Sequence, residues 1–173
     1  MSVEDVTGVE SERMNIHRET PEVSRAMAAL DHDIKLDPVL SELVKLRASI
    51  LNGCAYCIDM HSKRAREAGE SEQRLALVAA WQDAPVFSER ERAALALTDA
   101  VTLVAETHVP ASVYGRAAEL FDSEELAHLI WQIATINVWN RVSIATRASV
   151  GDYGSSTDLD RHCRRASRRS AFR

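Results

Sequence analysis

Signals that begin α-helices recur along this chain, and they constrain its fold more than any other feature. Thr20-Pro21 and Asp37-Pro38 each place a capping residue before a proline, which is favoured at the first helical position. Residues 88–91 (Ser-Glu-Arg-Glu) and 122–125 (Asp-Ser-Glu-Glu) have the capping-box pattern. Strand-like alternation of polar and apolar residues is scarce. The sequence therefore predicts an all-α fold, a compact bundle of six or seven helices.

The same signals, together with the apolar periodicity, predict the extent of individual helices. We expect one helix to begin near Pro21 and a second to run from Pro38 to Asn52-Gly53, where glycine can end it. A third is expected from Cys54 or Ala55 to Gly69. Further helices are expected after Ser71, across residues 89–106, after Pro110 and across residues 123–148.

The length and composition predict a single domain with flexible ends. A chain of 173 residues, 46% of them hydrophobic, can bury one substantial core. Residues 15–150 contain no internal repeat and no linker rich in Gly, Pro or Ser. We therefore expect a flexible N-terminus at residues 1–13, a helical domain at 14–150 and a disordered, arginine-rich tail at 151–173.

The charge and hydropathy of the chain argue against several classes of partner. The formal net charge is −5, and phosphate binding needs a surplus of Lys and Arg, so no nucleic acid is expected for the folded domain. The sequence has no run of about eighteen apolar residues, so we expect no membrane span. Residues 1–10 lack the basic and apolar regions of a secretory signal. We expect a cytoplasmic protein, whose three cysteines form no structural disulfide framework.

The Cys54-Ala55-Tyr56-Cys57 segment is the strongest candidate for chemistry. At the start of a helix, unsatisfied N–H groups and the helix dipole stabilise a thiolate and lower its pKa below about 8.5. The second cysteine lies one turn later, close enough for a disulfide. His61 follows Cys57 by four residues, so on a continuous helix the two share a face and the imidazole could relay a proton.

Glu42 is the third candidate element, but spacing alone does not bring it to the sulfurs. Glu42 lies twelve positions before Cys54, which corresponds to roughly 18 Å of helix at about 1.5 Å per residue. A symmetric partner subunit or a tilted packing of the two helices would be needed to close this distance.

Taken together, Glu42, the Cys54 to Cys57 segment and His61 resemble the active-site signature of alkyl hydroperoxidase D-like (AhpD-like) proteins, in the carboxymuconolactone decarboxylase superfamily. Eleven residues separate Glu42 from Cys54, and three separate Cys57 from His61. Residues 43–49 (Leu-Val-Lys-Leu-Arg-Ala-Ser), 90–98 and 136–141 (Ile-Asn-Val-Trp-Asn-Arg) are also similar to blocks of the compact members. The resemblance spans roughly residues 14–148.

The resemblance implies a peroxidase that assembles into homo-oligomers such as trimers or hexamers. Cys57 would attack a small peroxide and become a sulfenic acid, Cys54 would resolve it as a disulfide, and a dithiol reductant would restore both thiols. Glu42 and His61 would form the proton relay. No metal, haem or flavin cofactor is implied. Tyr56 stands where many well-studied members have histidine; with a pKa near 10 it can pass a hydrogen bond but is a poor base at neutral pH.

Other interpretations of these residues remain open at the level of sequence. Cys54, Cys57 and His61 could bind zinc, with Glu42 as a fourth ligand, although no second Cys/His pair follows. The two cysteines could also be merely buried. A lactone-acid decarboxylase is a rival enzyme, and a redox-sensing oligomer with little turnover is the non-enzymatic alternative.

Polar and aromatic residues outside the signature have less specific interpretations. The tryptophans Trp81, Trp131 and Trp139 are expected in the core or at a subunit interface rather than against substrate. Asn137, Asn140 and Arg141 interrupt an apolar helix; they either form a buried polar network or border the pocket.

Overall fold

A computed structural model describes residues 13–151, and this part of the chain is all-helical, as predicted. The predicted flexible N-terminus falls almost entirely outside the described residues, and the predicted arginine-rich tail does so except for residue 151. Nine α-helices and one short 3-10 helix lie within residues 13–151, and two of the nine are single turns of four residues, which leaves seven longer helices. Their bounds are α1 Ile16–Glu19, α2 Pro21–Asp33, α3 Pro38–Asn52, α4 Ala55–Glu67, α5 Glu72–Leu77, the 3-10 helix Val78–Ala80, α6 Glu89–Thr102, α7 Val104–Thr107, α8 Ala111–Leu120 and α9 Ser123–Thr146.

Most of the predicted helix starts are confirmed by their caps. The Asp37 side chain accepts a hydrogen bond from the backbone N–H of Leu40 at the start of α3. Both predicted capping boxes are complete, at the starts of α6 and α9. Thr20 differs, because its hydroxyl donates to the Ile16 carbonyl oxygen and so closes α1 instead of capping α2.

Two of the predicted helices are interrupted. The helix capped by Ser71 ends at Leu77 and continues only as the 3-10 helix, where the Arg47 guanidinium of α3 donates to the Ala79 carbonyl oxygen. The segment 89–106 breaks at Leu103, whose backbone leaves the helical region, and divides into α6 and α7. At this second break, too, a side chain hydrogen-bonds to a backbone carbonyl of the segment: the Thr107 hydroxyl donates to the Ala100 carbonyl oxygen.

Helix α3 lies at the centre of the fold and packs against α4, α6 and α9. Its continuous buried stretch, residues 42–49, contributes to two hydrophobic clusters. Val44 packs with Leu97, Leu129 and Ile133 in the first cluster, and Leu43 and Leu46 pack with Leu95 and Val78 in the second. Side chains on several faces of α3 are therefore buried, which fixes its rotation and the direction of Glu42.

A buried amide network ties the end of α3 to α9. The Asn52 amide donates to the side-chain oxygens of Asn137 and Asn140 at 3.0 and 2.8 Å, and the Asn140 amide donates to the Ser49 hydroxyl at 3.0 Å. The Arg141 guanidinium also donates to Asn137. The sequence left open whether Asn137, Asn140 and Arg141 form a buried polar network or border the pocket, and the structure has the polar network. It anchors the residues just before the turn that leads to Cys54.

The tryptophans divide between core and surface. Trp81 is buried, as expected, and its indole N–H donates to Asp99. Trp131 is 56% exposed and Val138 on the same helix is 43% exposed. Because a single chain is described, the expected trimer or hexamer stays a prediction. Within residues 13–151, no helix combines the length and the apolar character needed to cross a membrane.

Candidate active site

The turn between α3 and α4 places both cysteines. Gly53 adopts a left-handed conformation with φ of 69°, which ends α3, and the Cys54 N–H then donates to the Ser49 carbonyl oxygen. Cys54 occupies the capping position of α4, and its sulfur accepts a hydrogen bond from the Cys57 N–H at 3.3 Å. The predicted helix start at Cys54 or Ala55 is thus confirmed, with the first sulfur at the N-terminal amides.

Cys54 and Cys57 form a disulfide with their Cα atoms 5.3 Å apart. Both residues are about 1% exposed, yet their surroundings differ. Cys57 lines a cavity of about 300 Å³, whereas Cys54 is not among the residues that line it. A small molecule in this cavity would therefore meet Cys57 first.

His61 lines the cavity, and Glu42 lies in contact with His61. His61 Nδ1 is 2.8 Å from Glu42 Oε2, and both side chains are buried. The contact forms within one chain because α4 folds back along α3 after the Gly53 turn, so no partner subunit is needed to bring Glu42 to the site. Glu42 does not line the cavity itself and contacts the site through its hydrogen bond with His61.

The pKa of Glu42 identifies which of the two partners donates the proton. Burial raises this pKa, but the hydrogen bond with His61 and nearby positive charges, including those of Lys45 and Arg64, lower it by more. The net pKa lies below the ordinary value of 4.5, so Glu42 is ionised at neutral pH and can only accept. The Nδ1–H of His61 therefore donates to Glu42 Oε2.

His61 is correspondingly a neutral imidazole at neutral pH. Burial lowers its pKa most, and the charges of Lys45 and Arg64 lower it as well, while the hydrogen bond and the charge of Glu42 raise it in part. The net pKa lies below the ordinary value of 6.5. With Nδ1 carrying the proton, Nε2 is the basic nitrogen, and it makes no hydrogen bond to the described residues.

Lys45 compensates the carboxylates at the back of the site. Its ammonium group lies 3.4 Å from Glu42 Oε1 and 3.5 Å from Asp31 Oδ2, and the side chain is buried. Asp31 also accepts a hydrogen bond from Gln132 at 3.0 Å. The charge of Lys45 is thus held between two carboxylates.

The cavity combines the candidate catalytic residues with an apolar wall. Cys57, Tyr56, His61 and Lys45 line it together with Arg64, and Ala28, Met60, Ile136 and Trp139 are among its apolar lining residues. Trp139 is half-buried there, with its ring centroid 6.0 Å from that of His17. The sequence placed Trp139 in the core or at an interface and did not single out Lys45 or Arg64. Their spacing was the available signal, since each follows a signature residue by three positions on a helix.

In the described part of the chain, the side chains that could bind zinc are not arranged as a cluster of ligands. Among residues 13–151, no group of three or more His, Cys, Asp or Glu side chains is placed to hold a metal ion. Cys54 and Cys57 bind each other, and His61 Nδ1 is engaged by Glu42. The three residues are thus engaged with partners within the protein.

Comparison with known proteins places this geometry in a family. Residues 21–100 match the model of the carboxymuconolactone decarboxylase family. The uncharacterized protein YdfG of Bacillus subtilis is 39% identical over 138 residues, which cover 78% of this chain and 94% of YdfG. The chain belongs to the carboxymuconolactone decarboxylase family. The protein YnjA of Escherichia coli is 34% identical over 110 residues, 64% of this chain and 60% of YnjA.

Two solved structures extend the comparison of this carboxymuconolactone decarboxylase family member. ATU0492 of Agrobacterium tumefaciens, suggested to be the antioxidant defence protein AhpD, superposes with a TM-score of 0.80 at 38% identity, covering 83% of this chain and all of ATU0492. The debrominase Bmp8 superposes with a TM-score of 0.68 at 20% identity over 78% of this chain and 74% of Bmp8, a likeness of fold. The predicted resemblance to AhpD-like proteins is confirmed.

Proposed function

We propose that this protein is a thiol-dependent hydroperoxide reductase that cycles Cys54 and Cys57 between dithiol and disulfide. One observation carries the proposal: Cys57 and His61 line the same cavity, while Cys54 lies one turn earlier on the same helix, bonded to Cys57. A nucleophile, a base and a resolving thiol are thereby combined within a single helix-turn unit.

The first step would consume the peroxide. His61 Nε2 takes the proton from the Cys57 thiol, and the resulting thiolate attacks the terminal oxygen of ROOH. The S–O bond forms as the O–O bond breaks, and the departing RO⁻ takes the proton back from His61 and leaves as ROH. Cys57 is oxidised to a sulfenic acid and the peroxide is reduced. The helix N-terminus and the ionised Glu42 support this step, since the first stabilises the thiolate and the second stabilises protonated His61.

The second step would regenerate the centre. The Cys54 thiol attacks the Cys57 sulfur, the S–O bond breaks, and water leaves as the disulfide forms. A dithiol reductant, the expected partner, then supplies two electrons and two protons and becomes a disulfide itself. The net reaction converts ROOH and the dithiol into ROH, water and an oxidised donor. Tyr56 lines the cavity beside Cys57, where its hydroxyl can pass a hydrogen bond to bound peroxide.

Stopped-flow measurement of peroxide consumption tests this proposal. The variants Cys57→Ser and Cys54→Ser are compared with the parent, all in a Cys163→Ser background so that the third cysteine does not react. We expect Cys57→Ser to abolish consumption, because the nucleophile is lost. We expect Cys54→Ser to consume one equivalent and keep a sulfenic acid at Cys57, because no resolving thiol is present, whereas the parent ends with the Cys54–Cys57 disulfide.

The same variants separate the rival functions. If Cys57→Ser consumes peroxide as fast as the parent, the proposal is wrong. Stoichiometric zinc in the purified protein would favour the metal site, and a peroxide-dependent change of partner binding without turnover would favour a redox sensor. A lactone-acid decarboxylase would retain its activity in both cysteine variants, because a base alone suffices for that chemistry.

A further inference from the structure

Arg64 is a cation of the cavity that the mechanism above does not use. It lies on α4, one turn after His61, and lines the same cavity as Cys57. The side chain is of intermediate exposure, and its guanidinium makes no hydrogen bond or ion pair with any of residues 13–151. Its neighbour Arg66 is instead exposed and paired with Glu72 outside the cavity.

The other charged groups at the cavity each have a direct partner in the protein. Lys45 is held between Glu42 and Asp31, and Asp31 also binds Gln132. Glu42 binds His61, which is neutral. Arg64 also acts on Glu42 through its charge, but it is the cation of this mostly apolar cavity whose guanidinium donors have no direct partner among residues 13–151.

We propose that the cavity takes an organic hydroperoxide that carries a carboxylate, and that Arg64 binds this carboxylate. The proposal rests on the peroxidase function for its reactive end, at Cys57. An arginine fork matches a carboxylate in a bidentate, charge-assisted pair. Hydrogen peroxide alone would leave the apolar wall formed by Met60, Ile136 and Trp139 without a partner. A hydrocarbon between the two polar ends of the substrate would cover it.

The size of the cavity supports a substrate of this kind. Its volume of about 300 Å³ is at the lower end of the range for small-molecule sites, which suits a substituted aromatic or short-chain acid. The carboxylate would lie at Arg64, the peroxide oxygens at Cys57 and the hydrocarbon against Trp139. Arg64 would thus determine specificity without taking part in the redox step.

Binding of non-reactive analogues tests the proposed carboxylate site at Arg64, called the anion site below, independently of turnover. The probes are para-isopropylbenzoate and the isosteric, neutral para-isopropylbenzamide, titrated calorimetrically into the oxidised full-length protein. Because a charge-assisted pair is stronger than a neutral one, we expect the benzoate to bind about tenfold tighter than the amide. Arg64→Gln should bring the two affinities close together, and Arg64→Lys should restore part of the preference. Arg66→Gln, the matched control on the same helix, should keep the preference of the wild type.

Kinetics with the corresponding hydroperoxides connect the anion site to the reaction. We expect kcat/KM for the para-carboxylate of cumene hydroperoxide to exceed that for the para-carboxamide, mainly through a lower KM, and Arg64→Gln to remove this difference. Equal binding of benzoate and benzamide to the wild type, or an unchanged preference in Arg64→Gln, would overturn the proposal. A benzoate preference that depends on Arg64, in a protein that reduces neither hydroperoxide, would uphold the anion site and refute the peroxidase function.

Discussion

At the scale of single residues, Glu42 has two effects on His61. Its ionised carboxylate accepts the Nδ1–H, which selects the tautomer with a basic Nε2, and its charge raises a pKa that burial lowers. Burial is the larger influence, so the pKa of His61 lies below its ordinary value of 6.5 and the imidazole is mostly neutral at neutral pH. A base in this state is available at neutral pH without prior loss of a proton.

The pH dependence of activity follows from this balance. Glu42→Gln keeps an oxygen that can accept the Nδ1–H but removes the charge that raises the pKa of His61. In the pH profile of kcat/KM, the acidic limb is where activity is lost as His61 becomes protonated. We therefore expect this limb to move to lower pH, and the plateau value to fall because Nε2 is less basic. The fall should be smaller than that of His61→Ala, for which about 100-fold or more is typical of a lost general base. Steady-state rates between acidic and neutral pH measure both effects.

A carboxylate elsewhere on α4 provides the control for that prediction. Glu67 is exposed at the C-terminal end of the helix and does not line the cavity. Glu67→Gln should leave the acidic limb in place. An acidic limb that stays in place or moves to higher pH in Glu42→Gln would contradict the assigned relay.

The sequence predicted part of this site. The spacing of Cys57 and His61 on one helix was enough to place them on one face, because helical periodicity is local. The contact of His61 with Glu42 depends on how α4 lies against α3, which is a tertiary property, and spacing left it open. Arg64 was missed although it follows His61 by three positions on the same helix, whereas Trp139 lies on another helix and a single tryptophan carries no local signal of what it faces.

At the scale of elements, the α3–α4 turn determines where the Cys54–Cys57 pair lies. Gly53 has a positive φ, and a Cβ built there would meet no atom within 4 Å. Any cost of a side chain at this position is therefore conformational and not steric. Gly115 in α8 has equally open space but no positive φ.

These two glycines give predictions of opposite sign. We expect Gly53→Ala to lower the free energy of unfolding by about 1 kcal/mol, because the left-handed region is unfavourable for a residue with a Cβ. We expect Gly115→Ala to raise it by about 0.5 kcal/mol or more, because alanine is the better helix former. Urea denaturation measures both. Stabilisation of the protein by Gly53→Ala would show that the turn does not need glycine.

Helix ends were predictable where a local cap forms them and not elsewhere. The boxes at Ser88 and Asp122 need only four neighbouring residues, and both are present. Just beyond the end of α5, the Ala79 carbonyl oxygen instead accepts from Arg47 on another helix, a tertiary contact. The break at Leu103 likewise has no proline or glycine nearby from which the sequence could have predicted it.

At the scale of the whole molecule, the surrounding helices hold α3 and α4 in one fixed packing. Helix α3 is buried along most of its length, the Asn52 network anchors its end on α9, and the bidentate Arg47–Asp99 pair fixes it to α6. The centre formed at its C-terminal turn is therefore preorganised within a single chain. The match to the family model, at residues 21–100, includes both helices.

Anaerobic titration of the fully reduced protein with peroxide, in the absence of any donor, tests the central claim most directly. The account predicts that each chain consumes one equivalent of peroxide and loses two thiols, and that peptide mapping locates the new disulfide between Cys54 and Cys57 with Cys163 still free. Absence of consumption, or loss of thiols without a Cys54–Cys57 disulfide, would contradict it.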